Sequence, residues 1–143
     1  MIVLDTNVLS EMMKSSPDPN VSAWLNAQKR STLWLTTITV AELRYGAARL
    51  AEGRRRAALE HLIDTYVDEG FPERIAAFDL AAASLFARHT ADAARQGREI
   101  AGFADAAIAA IALSKGFSVA TRDTGPFLAM GVDVINPWRV DDT

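Results

Sequence analysis

The chain has 143 residues, half of them hydrophobic, with a formal net charge of -3 and no Cys. This length predicts one domain over residues 1–143 with one sizeable core. The composition excludes disulfides, thiolate metal sites and a global basic field, although a local basic patch can still bind nucleic acid. The lack of Cys favours a cytoplasmic location, and no apolar run is long enough for a signal-peptide core or a membrane span.

The first half of the chain predicts two strands and four helices. Ile2–Leu4 is apolar on both faces of the pleat, which is typical of a strand inside a parallel sheet. Turn residues at 15–19 separate two short helical segments, and residues 33–36 predict the second strand. A helix opens at Thr39 and runs to about residue 50, and an amphipathic helix follows over residues 54 to about 67.

The second half continues the alternation of strands and helices. We expect strands at residues 74–78, 117–120 and 132–135. We expect helices from Asp79 towards residue 95, over residues 103 to about 115, and from Pro126 to Gly131. The helix over 103–115 is apolar nearly all round and is therefore buried. This order predicts a three-layer α/β/α domain with a central parallel sheet.

Four acids stand where predicted strands end or helices begin: Asp5, Glu42, Asp105 and Asp123. The carboxyl ends of parallel strands share one edge, so we expect these side chains to converge there. Four carboxylates in one cleft repel one another unless a cation lies between them. Oxygen ligands without Cys or paired His favour Mg²⁺ or Mn²⁺, which can activate water and neutralise a phosphate during hydrolysis.

Each acid also has a purely structural interpretation. Asp5 can cap the helix that follows it, and Thr39 with Glu42 matches a capping box. Asp105 lies in the first turn of a helix, where the helix dipole favours negative charge. Asp123 fits an ordinary turn before Thr-Gly-Pro. The functional interpretation therefore depends on whether the four converge.

The segments around the four acids resemble the four acidic motifs of PIN-domain proteins. In chain order they are IVLDTN (2–7), TVAEL (39–43), ADAAIA (104–109) and ATRD (120–123). Together they cover nearly the whole chain, and their order is specific, whereas any single motif is common among α/β proteins. Within that family the chain most resembles the toxin branch of type II toxin–antitoxin pairs, the VapC and FitB-like group. Residues 43–46 and 134–138 share this resemblance.

The resemblance implies a magnesium-dependent endoribonuclease that cleaves single-stranded or loop RNA. It also implies a homodimer and a cognate antitoxin that inserts a tail into the active-site region. It gives catalytic and metal-binding roles to Asp5, Glu42, Asp105 and Asp123. Asp5 and Asp105 would make the most direct metal contacts, while the other two complete the shell or orient water. Thr6 and Thr121 would hold carboxylates or water by hydrogen bonds.

The dense basic stretch offers a candidate RNA contact at Arg54, Arg55 and Arg56. These arginines are either a solvated helix face or a track for phosphates or an acidic antitoxin segment. The three tryptophans, by contrast, suit packing or dimer contacts better than stacking on bases: Trp24, Trp34 and Trp138.

Two rival functions remain open. A haloacid-dehalogenase-like phosphatase also begins with a strand and an Asp, but it needs a second Asp where this chain has Asn7. It also needs a catalytic Lys, for which Lys115 is poorly placed. The non-enzymatic rival is a binding module whose acid pocket only receives a basic side chain of the antitoxin.

Overall fold

The computed structural model describes residues 1–140. Its strands are β1 (Ile2–Leu4), β2 (Leu33–Thr36), β3 (Ile75–Ala76), β4 (Ser118–Ala120) and β5 (Val134–Ile135). Its helices are α1 (Thr6–Met12), α2 (Pro19–Ala27), α3 (Thr37–Ala48), α4 (Arg54–Thr65), α5 (Leu80–Arg95), α6 (Phe103–Lys115) and α7 (Thr124–Ala129). The last three residues of the single domain predicted over 1–143 lie outside the described part, and that domain assignment stays a prediction.

The five strands form one parallel sheet in the order β3-β2-β1-β4-β5. The N-terminal strand is therefore central, with Val3 paired to Trp34 on one side and to Val119 on the other. Because all strands run the same way, their carboxyl ends lie along one edge. The predicted α/β fold with a parallel sheet is confirmed.

Alternate residues of the strands pack into two separate hydrophobic clusters, one on each face of the sheet. Val3 and Val119 belong to the cluster formed with α5, α6 and α7. Leu4 and Ala120 belong to the cluster formed with α1 and α2. Successive side chains of a strand point to opposite faces, so helices cover both faces of the sheet. The three-layer arrangement follows from this alternation.

Helix α6 confirms the prediction of a buried helix. All seven residues from 106 to 112 are buried, mostly alanines that let the helix approach its neighbours closely. Gly116 ends it in the left-handed conformation with φ +70°, which glycine adopts without steric cost. The buried helix holds Asp105, in its first turn, in a fixed position relative to the sheet.

Several predicted boundaries were wrong. Helix α3 begins at Thr37 and not at Thr39, because the Thr36 hydroxyl accepts the Thr39 N–H at 3.1 Å and caps the helix. Helix α7 begins at Thr124, two residues before Pro126, because a proline fits anywhere in a first helical turn. The third and fifth strands each have only two residues, and a π-helical turn at Tyr66–Gly70 follows α4.

Within residues 1–140, no helix is both long enough and apolar enough to cross a membrane.

Candidate active site at the carboxyl edge of the sheet

Asp5 follows the central strand and is held from two sides. Its Oδ1 accepts the Thr6 backbone N–H at 2.7 Å, and its Oδ2 accepts the Thr121 hydroxyl at 2.8 Å. Its own backbone N–H donates to the Ala120 carbonyl at 2.9 Å, which ties the acid to β4. The residue is only 4 % exposed. Asp5 thus caps α1, and its carboxylate is also fixed by a residue 116 positions away.

Glu42 reaches the same edge from α3. Its Oε1 accepts the Thr6 hydroxyl at 2.7 Å, and the Thr6 oxygen lies 3.1 Å from the Thr39 hydroxyl. Because Thr36 is the N-cap, Glu42 lies in the second turn and cannot close a capping box. The capping-box interpretation of Glu42 was therefore wrong. Its side chain instead joins α3 to the start of α1.

The carboxylates near the cleft influence one another's protonation. Burial raises the pKa of Asp5 from 3.8 to about 6. Hydrogen bonds from Thr121 and Thr6 oppose this rise, and the charges of Asp105 and Glu42 add to it. Burial also raises the pKa of Asp105, helped by the charges of Asp123 and Glu42. The four predicted acids therefore share one electrostatic environment, in which a cation would relieve repulsion.

An open cavity of about 460 Å³ lies over this edge and is lined by Asp5, Glu42 and Asp105, together with Thr6. Asp123 does not line the cavity but stands beside it as the N-cap of α7. Of the supporting residues, Thr121 is fully buried beneath Asp5 and also accepts from the Asn7 amide at 3.3 Å. Three of the four acids thus share one cavity.

The donor set fits a hard divalent cation, because it is made of carboxylate and hydroxyl oxygens. Within the part of the chain that the structure describes, no three acidic or imidazole side chains are grouped closely enough to hold a metal ion. A bound cation would therefore have to draw the carboxylates together.

The cavity also contains residues to which the sequence analysis gave no role at this site. Glu11 is 7 % exposed and pairs with Lys14 at 2.6 Å, and both line the cavity. Arg122 and Trp138 complete its rim. The spacing of Asn7, Glu11 and Lys14 places them on one face of α1 and its C-terminal extension, a signal that could have identified them.

The predicted basic stretch lies elsewhere. Arg54 and Arg55 are exposed at the start of α4, and Arg56 pairs with Glu60 at 2.7 Å. None of the three is among the residues that line the acidic cavity. Their role as RNA contacts stays a prediction. Trp24, Trp34 and Trp138 all pack against the two core clusters, as expected.

The fold agrees with the comparison to protein families. Residues 2–132 match the model of the PIN domain, and the chain belongs to this family. PIN-domain nucleases typically use a divalent metal.

Within this family the chain falls in the VapC/FitB-like branch of type II toxin–antitoxin ribonuclease toxins. It is 49 % identical to a VapC ribonuclease of Sinorhizobium fredii, over 97 % of this chain and 99 % of that one. It is 43 % identical to toxin FitB of Neisseria gonorrhoeae, over the same shares. A solved structure of FitAB bound to a DNA fragment matches with a TM-score of 0.92 and 40 % identity, covering 99 % of this chain and 98 % of that chain. That structure is a toxin–antitoxin complex on DNA.

Proposed function

We propose that this chain hydrolyses RNA phosphodiester bonds at the cavity formed by Asp5, Glu42 and Asp105, with Asp123 beside it. Mg²⁺ or Mn²⁺ is the expected cofactor. The observation that carries the proposal is the gathering of these acids at the carboxyl edge of the sheet. Asp5 and Asp105 both have raised pKa values there, mainly because they are buried and further because of neighbouring negative charge. This proposal places the four acids in the catalytic and metal-binding roles that the resemblance implies.

A divalent cation held by these carboxylates would supply an activated water and neutralise charge on the phosphate. The side chains around it have separate tasks. Thr121 and the Thr6 backbone N–H each bind one oxygen of Asp5, which fixes the plane of that carboxylate. The Thr6 hydroxyl donates to one oxygen of Glu42. The Asp5 carboxylate is therefore oriented before substrate arrives, while a cation would still have to draw the other carboxylates towards it.

The mutagenesis test compares RNA cleavage by the purified chain and by Asp5→Asn in millimolar Mg²⁺. The amide keeps the size of the side chain but removes its charge, so we expect cleavage to fall by about 100-fold or more. An exposed carboxylate distant from the cavity, changed in Asp92→Asn, provides the matched control. Full cleavage by Asp5→Asn would contradict the proposal. Absence of cleavage in the unchanged chain would favour the non-enzymatic binding module.

Metal binding can be tested without activity. A ligand that binds only the folded state raises its melting temperature, so millimolar Mn²⁺ should stabilise the unchanged chain. The increase should shrink in Asp5→Asn and persist in Asp92→Asn. An equal increase in all three proteins would place the metal elsewhere.

We further propose a cognate antitoxin, a homodimer and a cytoplasmic location for this toxin. Support for the antitoxin comes from a groove of about 320 Å³ that is lined mostly by α1, α3 and α4. The groove is apolar at Met13, Leu43 and Ile63, and it joins the acidic cavity at Thr6 and Glu42. An amphipathic antitoxin segment fits such a surface.

An Arg of the antitoxin segment could then enter the acidic cavity, because a guanidinium binds carboxylates through paired hydrogen bonds. Inhibition should therefore weaken when Mn²⁺ is added or when that Arg is changed to Ala. Inhibition that is indifferent to both changes would show that the antitoxin blocks RNA in another way.

A further inference from the structure

Two basic side chains stand among the acids of the cavity, and they differ in how they are paired. Lys14 is neutralised by Glu11, whose Oε2 lies 2.6 Å from the Lys14 Nζ. Arg122 makes no ion pair within residues 1–140. Its guanidinium carbon lies 5.4 Å from the centre of the Trp138 ring. Arg122 is thus the stronger candidate to receive an anion at this rim.

Trp138 provides a fixed surface for this guanidinium. Its backbone N–H donates to the Asn136 Oδ1 at 3.0 Å, and its carbonyl accepts from the Asn20 amide at 3.2 Å. The indole also packs against the core cluster formed with α1 and α2. The backbone of Trp138 is therefore held by the residue after β5 and by α2, and its ring is held by the core.

The backbone of Arg122 is held as well. Its N–H donates to the Asn7 Oδ1 at 3.4 Å, and the preceding residue, Thr121, donates to the Asp5 carboxylate. A guanidinium stacked on an aromatic ring keeps the N–H groups of its edge free, and these match two oxygens of a phosphate. The guanidinium thus lies over the Trp138 ring at the rim of the cavity that Asp5, Glu42 and Asp105 line.

We propose that Arg122, supported by Trp138, binds an RNA phosphate adjacent to the bond that is cut. The inference rests on the proposed ribonuclease function. The carboxylates of the cavity repel a polyanion, so a substrate held only at the acids would be oriented poorly. A phosphate bound by Arg122 would hold the neighbouring nucleotide at the mouth of the cavity. Trp138 acts here as a positioning residue.

The test measures binding of a fluorescein-labelled single-stranded RNA of mixed sequence at several salt concentrations in millimolar Mg²⁺. All variants carry Asp5→Asn, so that binding is read without cleavage. Removing one phosphate contact should weaken binding about tenfold, and it should reduce the slope of log affinity against log salt by about 0.7. We expect both effects for Arg122→Gln. The matched control is Arg95→Gln, which removes the same charge from an exposed site on α5.

A second variant separates the shape of the cation from its charge. Arg122→Lys keeps the charge but loses the planar paired donors, so it should keep most of the salt slope and still lose affinity. Equal RNA affinities and equal salt slopes for Arg122→Gln and Arg95→Gln would overturn the inference. Contact with a protein partner would then be the remaining explanation for Arg122. A lack of RNA binding by the Asp5→Asn parent would overturn the inference as well. Cleavage by the chain without Asp5→Asn reports separately on the proposed function.

Discussion

The buried carboxylate of Asp5 should make the metal-free protein sensitive to pH. Its pKa in the folded chain is raised from 3.8 to about 6, mainly by burial. A raised pKa means that the folded state favours the protonated acid. The stability that the folded chain gains from protonating Asp5 is fully present below pH 3.8 and is lost as pH rises through about 6. At about 1.36 kcal/mol per pH unit, the loss amounts to about 3 kcal/mol.

Asp5→Asn removes this titration while keeping a side chain of similar size. In a chelating buffer, the free energy of unfolding of the unchanged chain should therefore fall relative to that of Asp5→Asn between pH 4 and pH 7. The measurement is urea denaturation of both proteins across that range, with Asp92→Asn as an exposed control. A difference between the unchanged chain and Asp5→Asn that stays constant with pH would refute the reasoning. Adding Mn²⁺ near pH 7 should restore part of the lost stability to the unchanged chain and to Asp92→Asn, and should stabilise Asp5→Asn less, because the cation offsets the buried charge of Asp5.

Three other substitutions test individual contacts. Glu42→Gln should reduce RNA cleavage by about 100-fold with little change in melting temperature, since it removes charge from the cavity and not a helix cap; an active variant would return Glu42 to a structural role. Thr36→Ala should lower the free energy of unfolding by about 1–2 kcal/mol, because the Thr39 N–H loses its cap; urea denaturation that matches the unchanged chain would contradict the observed cap. The last change replaces the basic stretch, Arg54, Arg55 and Arg56, by Ala. If these residues contact three phosphates, the slope of log affinity for RNA against log salt should fall by about 2. An unchanged slope would identify them as a solvated helix face.

The fold could be predicted because its central elements have simple patterns. Val3 and Leu4 of β1 and residues 106–112 of α6 are buried, so the apolar composition of these segments distinguishes them from surface elements. The start of α3 was harder to predict. Thr36, Thr37 and Thr39 can all cap a helix, and only the tertiary position of β2 decides which one does. The shortest strands have two residues each, fewer than a period-two pattern needs to be recognised.

The candidate site also has features that the sequence could predict and features that it could not. Three of the four acids line one cavity, as their positions after a strand or near the amino end of a helix predicted, whereas Asp123 lies outside that lining. The bond from Thr6 to Glu42 could not be predicted, because it depends on the packing of α1 against α3. The rim formed by Arg122 and Trp138 was also missed. These residues are 16 positions apart in the sequence, and the return of the chain through β5 brings them together.

The central place of β1 has a consequence for the timing of activity. Strand β1 precedes its partner on one side, β4, by more than a hundred residues, because β4 begins at Ser118. The Asp5 carboxylate likewise gains its hydrogen bond from the Thr121 hydroxyl only after Thr121 has been made. Contacts so distant along the chain cannot form until most of the polypeptide has been translated. The acidic cleft therefore cannot assemble until β4 and Thr121 have been made and have reached β1.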